Sequence, residues 1–352
     1  IPQTPAEPVQ KTAVPGQPYR VTVTEPGILD NLQPLPLIRR QPGPGEVELA
    51  VRATGLNFMN VMSALGIYPG YERGVGPLGI ECAGVVTAVA ADVTQFQVGD
   101  AVMGIAFDSL SSHAITDARL LVARPEGLTF AEAASLPIVF LTAYYALCHL
   151  GRMRAGERVL IHAGTGGVGQ AAIQLVQHIG AEIWATAGTP EKRAFLRDQG
   201  ITHVMDSRSL AFADEVLAST GGEGVDLLLN SLAGEAVVKG LAILRPYGRF
   251  LEIGKRDIYD NSRIGLQPFQ KNLSYFAIDL DRMARERPAE IGEMLQALLD
   301  LFSAGAIRPL PIQEFPVAQV SDAFRTMAQA RHIGKIVVTQ ELVAESAAQQ
   351  PD

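Results

Sequence analysis

Three glycines carry the clearest chemical pattern in this chain. Gly164, Gly166 and Gly169 satisfy G-x-G-x-x-G within His162-Ala-Gly-Thr-Gly-Gly-Val-Gly169, which follows the apolar run Arg158-Val-Leu-Ile-His162. A segment with apolar residues at Ala172, Ile173, Val176 and Ile179 comes next. Strand, glycine turn and helix in that order predict dinucleotide binding. Without Cβ atoms the backbone turns sharply and approaches a pyrophosphate, while the N–H groups and positive dipole end of the helix face the phosphate charge. The nucleotide's own phosphate is also legible. The next strand ends neutral in Trp184-Ala-Thr-Ala-Gly188, with Lys192 and Arg193 just after it and Arg208 after the third strand. A site preferring NAD places Asp or Glu at that strand end, so this basic, acid-free neighbourhood predicts NADPH.

These residues need a scaffold, and the periodicity describes one of the α/β class in two parts. From Tyr19 to about Val122 the alternation is strand-like, as in Tyr19-Arg-Val-Thr-Val-Thr24 and Glu46-Val-Glu-Leu-Ala-Val-Arg52, with Pro and Gly clusters between. That pattern predicts a partly closed barrel of antiparallel strands. Asn57 to Leu65 reads as a short helix, and the apolar stretch Ala133 to Leu150 as one buried helix. After Val139 six strands alternate with helices: the glycine-turn unit, then runs at 182–187, 203–206, 225–230, 249–254 and 274–279. Such alternation predicts a doubly wound parallel sheet. A helix over 288–304 and the segment 315–338 are expected to pack back on the barrel. The expected division is a linker at 1–18, a substrate-binding domain over 19–138 and 282–340, a cofactor domain at 139–281, and a tail at 341–352. The proline-rich leader behind a non-Met start is expected to be linker left where a domain was cut from a longer polypeptide.

Composition narrows the function classes. The chain has 352 residues, 47% of them hydrophobic and 19% charged, and a formal net charge of -8. That balance argues against sequence-independent nucleic-acid binding, which needs clustered cations, and the apolar stretch at 133–150 is too interrupted for a membrane span. Two cysteines, Cys82 and Cys148, and no secretory signal point to a reducing cytoplasm.

Several stretches together resemble the medium-chain dehydrogenase/reductases, specifically their zinc-free quinone-oxidoreductase-like branch with the enoyl reductase domains of polyketide and fatty acid synthases. They include Gly55-Leu-Asn-Phe58, Ala64-Leu-Gly-Ile-Tyr-Pro-Gly70, Leu78-Gly-Ile-Glu-Cys-Ala-Gly-Val-Val86, Asn230-Ser-Leu-Ala-Gly-Glu235 and Arg249-Phe-Leu-Glu-Ile-Gly-Lys255. The last two are more synthase-like. The resemblance implies a GroES-like substrate domain beside a Rossmann cofactor domain, and an NADPH-dependent reduction of a carrier-bound 2-enoyl thioester. The implied partners are an acyl carrier protein with its phosphopantetheine arm and neighbouring domains of the same polypeptide. It places Asn57, Gly164, Thr165, Gly166, Gly167, Val168, Gly169, Lys192, Arg208, Asn230 and Gly254 at the cofactor, and Tyr68, Lys255 and Asp279 at the reacting carbons. No metal is expected: Asn57 and Ile80 stand where the zinc branch offers Cys and His, and two cysteines cannot make a four-thiolate site. In place of the family's usual Arg-Asp after Asn-Phe stand Met59 and Asn60, so two charges are missing near the presumed site. A free-standing quinone reductase, or a variant acting on an unusual intermediate, are the alternatives.

Overall fold

The computed structural model describes residues 16–71 and 75–340. The expected tail at 341–352, and all but residues 16–18 of the expected linker, lie outside the described residues.

The strands run β1 Tyr19–Val23, β2 Leu32–Pro36, β3 Glu46–Gly55, β4 Glu81–Val89, β5 Ala101–Ile105, β6 His113–Asp117 and β7 Leu121–Ala123 in the first part of the chain. The second part holds β8 Arg158–Ile161, β9 Glu182–Ala187, β10 His203–Asp206, β11 Val225–Asn230, β12 Leu244–Glu252 and β13 Ser274–Ala277, and the chain closes with β14 Ile312–Pro316 and β15 Lys335–Thr339. The helices are α1 Phe58–Ala64, α2 Phe130–Ala134, α3 Pro137–Tyr144, α4 Gly167–Ile179, α5 Pro190–Asp198, α6 Phe212–Ser219, α7 Glu235–Ala242, α8 Arg256–Tyr259, α9 Leu280–Glu286, α10 Pro288–Ser303 and α11 Val320–Ala328.

β3 is the spine of the first sheet. It pairs antiparallel with β4, β6 and β15, and its register shifts at Glu48/Leu49 and Val51/Ala53. Such shifts bend the strand and let the seven-stranded sheet, ordered β14-β15-β3-β4-β5-β7 with β6 branching off β3, curl into the GroES-like form. Chain from the end of the sequence thus returns to the first sheet, and β14 lies parallel to β15.

The second sheet has six parallel strands ordered β10-β9-β8-β11-β12-β13. Its order reverses between β8 and β11, and in this Rossmann arrangement ligands bind outside the carboxyl ends of the strands at that switch. One core cluster joins the two sheets through α3 and α4, where Phe140, Leu141, Ala172 and Val176 are at most 1% exposed. Full burial of a residue such as Phe140 is worth about 1.5–3 kcal/mol, so the packing that joins the two sheets is firm.

The apolar stretch at 133–150 is three helical pieces where one was expected: α2, α3 and a π-helical turn at Tyr145–Leu150. Pro137 explains the first break. It has no N–H to continue α2 and is well suited to open α3 at its first position. Among the described residues no helix is long and apolar enough to cross a membrane.

Candidate functional site

The glycine turn fits a dinucleotide. Gly166 caps α4, and a Cβ added there would meet only Ala163 O, at 3.4 Å. The pyrophosphate side of the turn is therefore open to backbone approach. Gly169 serves packing: a Cβ on it would lie 2.5 Å from Ala163 O and 2.6 Å from Gly164 Cα, so only glycine lets α4 abut the turn. Gly167 faces α3, with Val139 Cγ1 2.8 Å from the position of its missing Cβ, and Val168 packs partly buried on the main core. Thr165 is 3% exposed. Its carbonyl accepts the Gly334 N–H at 2.8 Å, so the turn is braced from the first domain by the chain entering β15.

Arg208 lies beside Gly188, and Lys192 is near enough to Arg208 to feel its charge. Arg208 Nε lies 3.1 Å from where a Gly188 Cβ would stand, and Lys192 Nζ donates to Ala330 O at 2.8 Å. Burial, and then Arg208, lower the Lys192 pKa. The neighbourhood is not free of acid, however. Asp206, the last residue of β10, lies 3.0 Å from Arg193 and accepts the Arg208 N–H at 2.8 Å. β10 is the parallel neighbour of β9, so Asp206 stands outside the strand end at which a ribose carboxylate is ordinarily found. Arg193 is paired with Asp206 there.

Asn230 and Gly254 sit at the carboxyl ends of β11 and β12, where they shape the rim. Both amide hydrogens of the wholly buried Asn230 are spent, on Glu252 Oε2 at 2.6 Å and Leu232 O at 2.7 Å. The Gly254 N–H donates to Glu252 Oε1 at 2.6 Å. Glu252 was not singled out in the sequence. Burial pushes its carboxyl up to about 7 despite those two donors.

Asn57, the N-cap of α1, belongs to a buried polar knot that the sequence reading also missed. Lys335 Nζ donates to Leu56 O at 2.6 Å and Asn57 Oδ1 at 2.7 Å, and lies 2.6 Å from Glu81 Oε1. Glu81 accepts in addition from Asn57 Nδ2 at 2.7 Å and from the Ile138 N–H at 2.7 Å. Both charged side chains are at most 3% exposed. Burial lowers the Lys335 pKa while Glu81 works against the shift. The signal was present in the sequence as single charges heading apolar strands, Glu81 before Cys-Ala and Lys335 before Ile-Val-Val.

The three residues assigned to the reacting carbons meet. Tyr68 comes from the loop after α1, Lys255 caps α8 beyond β12, and Asp279 caps α9 beyond β13. Lys255 Nζ donates to the Tyr68 hydroxyl oxygen at 2.7 Å and to Asp279 Oδ1 at 2.8 Å. Burial works to lower the Lys255 pKa, but the bonds to Asp279 and Tyr68 outweigh it and hold the ammonium charged above its ordinary value. Burial likewise raises the Tyr68 pKa, with Lys255 opposing it. The phenol oxygen accepts from Lys255, so its own O–H is turned away from the ammonium, and that O–H makes no hydrogen bond among the described residues. A weakly acidic donor backed by a fixed cation is well suited to hand a proton to a carbanion.

Met59 and Asn60 leave the local fold intact. Asn60 Oδ1 accepts the Asn57 N–H at 2.9 Å, the bond an Asp would make, and its amide reaches Pro77 O at 3.4 Å. Met59 packs partly buried on the core. Among the described residues no group of three His, Cys, Asp or Glu side chains could hold a metal ion.

Comparison with known proteins agrees with this geometry. Residues 43–140 match the alcohol dehydrogenase GroES-like domain and residues 199–338 the zinc-binding dehydrogenase family. The chain is 45% identical over 321 residues to phthioceranic/hydroxyphthioceranic acid synthase of Mycobacterium tuberculosis, covering 91% of this chain but 15% of that synthase. Among solved structures, CurK enoyl reductase is 45% identical with a TM-score of 0.84, covering 92% of this chain and 99% of that one. The CurF ER cyclopropanase from the curacin A biosynthetic pathway is 40% identical with a TM-score of 0.84 over the same shares. A mycobacterial protein solved as a complex with NADPH is 27% identical with a TM-score of 0.81, covering 92% of this chain and 100% of that one. By the Rossmann turn, the GroES-like sheet and these likenesses, the chain belongs to the polyketide-synthase enoyl reductases of the medium-chain dehydrogenase/reductase superfamily.

Proposed function

We propose that this chain reduces the α,β double bond of a 2-enoyl thioester carried on the phosphopantetheine arm of an acyl carrier protein, using NADPH. The observation that carries the reading is the Tyr68–Lys255–Asp279 chain, which spans the two domains at the carboxyl edge of the parallel sheet. Bound NADPH would supply a hydride to the β-carbon. The glycine turn and the α4 N-terminus would hold its pyrophosphate, and Lys192 and Arg208 its 2′-phosphate. The protein's own chemistry is then protonation. Tyr68 donates its free O–H to the α-carbon of the enolate, Lys255 at 2.7 Å stabilises the phenolate that remains, and Asp279 keeps the lysine charged and aimed. Lys255 can return a proton to the phenolate and recover one from solvent. A reducing cytoplasm, as part of a longer synthase polypeptide, is the proposed setting.

The test is NADPH oxidation with a crotonyl-type thioester against a quinone. Turnover with the thioester supports the reading, and turnover with the quinone alone refutes it. A second reading has one sequence feature and one likeness behind it: the uncharged Met59–Asn60 pair beside Asn57, and the similarity to the CurF cyclopropanase. It sends hydride to an intermediate that carries a leaving group, so that the resulting carbanion closes a ring by displacing that group with its electron pair instead of being protonated. Product mass separates the two, since ordinary reduction adds two hydrogens.

A further inference from the structure

Beside the Tyr68–Lys255–Asp279 chain lies a second array that shares two of its pieces of chain, the 68–71 loop and the start of α9. The Tyr71 hydroxyl donates to Asp281 Oδ2 at 3.1 Å. Arg285, one turn further along α9, lies 3.0 Å from Asp281 Oδ1 and covers the rings of Phe107 at 4.2 Å and Tyr71 at 5.3 Å. The Tyr68 and Tyr71 rings are 5.4 Å apart, and the Asp281 side chain is 8% exposed. Each array thus sets a tyrosine of the 68–71 loop against a carboxylate of the 279–281 segment and a cation.

The two arrays differ in where the protons go. Tyr68 accepts from its cation and keeps its own hydrogen free, whereas Tyr71 has spent its hydrogen on a carboxylate. Burial first, and Asp281 second, push the Tyr71 phenol up to about 12, and a guanidinium does not give up its proton. The second array therefore transfers nothing, but it holds the loop. Between the two tyrosines Gly70 takes a left-handed φ of +88°, and a Cβ there would come 2.7 Å from the Tyr259 hydroxyl. A turn of this kind lacks the ladder bonds of a strand, and its tyrosines are tied down at either end by Lys255 and by Asp281.

We propose that Tyr71, Asp281 and Arg285 form a clasp across the two domains that positions Tyr68 against Lys255 and so fixes the face on which the α-carbon is protonated. The inference rests on the reading of Tyr68 as the proton donor. The clasp residues act through Tyr68 and are positioning residues.

The test uses the full chain as wild type, Tyr71→Phe, which keeps the ring and its stacking, Asp281→Asn, and Asp281→Glu. Four quantities are measured: kcat and KM with an α-methyl enoyl thioester and NADPH, the product configuration by chiral analysis, the melting temperature, and the rate at which a small acylating reagent modifies Lys255 without substrate, scored by mass spectrometry against Lys271. Because the clasp acts through Tyr68, its loss cannot slow turnover more than Tyr68→Phe does. The expected result for Tyr71→Phe and Asp281→Asn is a kcat lowered no further than in Tyr68→Phe, with KM for NADPH changed by less than about twofold. A product of mixed configuration, faster Lys255 modification, an unchanged melting temperature and recovery of most of the loss in Asp281→Glu are expected alongside. Wild-type configuration together with wild-type Lys255 modification in both variants overturns the clasp. A wild type that reduces no enoyl thioester overturns the proposed function instead, and the Lys255 modification rate then decides the clasp by itself.

Discussion

Replacing Lys335 by Met keeps the length of the side chain and removes an ammonium that three oxygens surround: Glu81 Oε1 at 2.6 Å, Leu56 O at 2.6 Å and Asn57 Oδ1 at 2.7 Å. What remains is a Glu81 carboxylate that is 0% exposed, with only Asn57 Nδ2 and the Ile138 N–H to solvate it. An exposed ion pair would be worth less than about 1 kcal/mol. Removing one partner of a buried pair costs about 3–5 kcal/mol, because the other charge is left uncompensated. That is a large share of a net stability of about 5–15 kcal/mol. The same reasoning requires the double variant Lys335→Met, Glu81→Gln to recover more than half of the loss, since a neutral amide still accepts from Asn57 or Ile138. The assay is urea unfolding followed by far-UV circular dichroism for the wild type, both single variants and the double. A loss below about 1 kcal/mol for Lys335→Met, or a double variant no more stable than Lys335→Met, would refute the account of the knot.

Three further outcomes are expected. Glu252, raised from 4.5 to about 7, is protonated in the folded chain and ionised in the unfolded one between those values, so the stability it contributes is full below pH 4.5 and lost as pH rises through about 7. That difference is worth roughly 3 kcal/mol, and the stability of Glu252→Gln relative to wild type should rise by that order between pH 4 and pH 8, measured by urea unfolding; a gap that does not change with pH contradicts it. Arg208→Ala should weaken NADPH binding by about 1–3 kcal/mol and leave NADH almost unchanged, read by fluorescence titration, and equal losses for both refute the 2′-phosphate assignment. Tyr68→Phe and Lys255→Ala should each retain detectable turnover, because water can protonate an enolate, and Tyr68→Phe should change the configuration of an α-methyl product more than its rate; a loss beyond about 10⁴-fold in either would make that side chain the obligatory donor.

What the sequence made legible was local. The G-x-G-x-x-G turn, the alternation of β3, the parallel strands and the neutral end of β9 each announce themselves within a few neighbouring residues. Tyr68, Lys255 and Asp279 were within reach because family motifs surround them, and their meeting follows from two strand ends and one loop facing a single cleft. Long-range pairing was not legible. Tyr71 and Asp281 are 210 residues apart, and nothing in either neighbourhood names the other. Glu81 and Lys335 sit in apolar runs whose periodicity says strand, and periodicity is silent about which charge is buried with which. Asp206 escaped because the ribose rule looks at β9, whereas the parallel neighbour β10 delivers its carboxylate to the same corner. The break at Pro137 was readable from the proline but was overridden by the length of the apolar run.

The central claim is that hydride goes to the β-carbon and a separate proton to the α-carbon. It is tested most directly by reducing an α-methyl enoyl thioester with NADPH deuterated at the transferring C4 position in ordinary water, and locating the deuterium in the product by NMR. The account requires a single deuterium on the β-carbon, ordinary hydrogen on the α-carbon, and one α-configuration that Tyr68→Phe erodes. Deuterium on the α-carbon, or cofactor consumed with no reduced thioester formed, would contradict it.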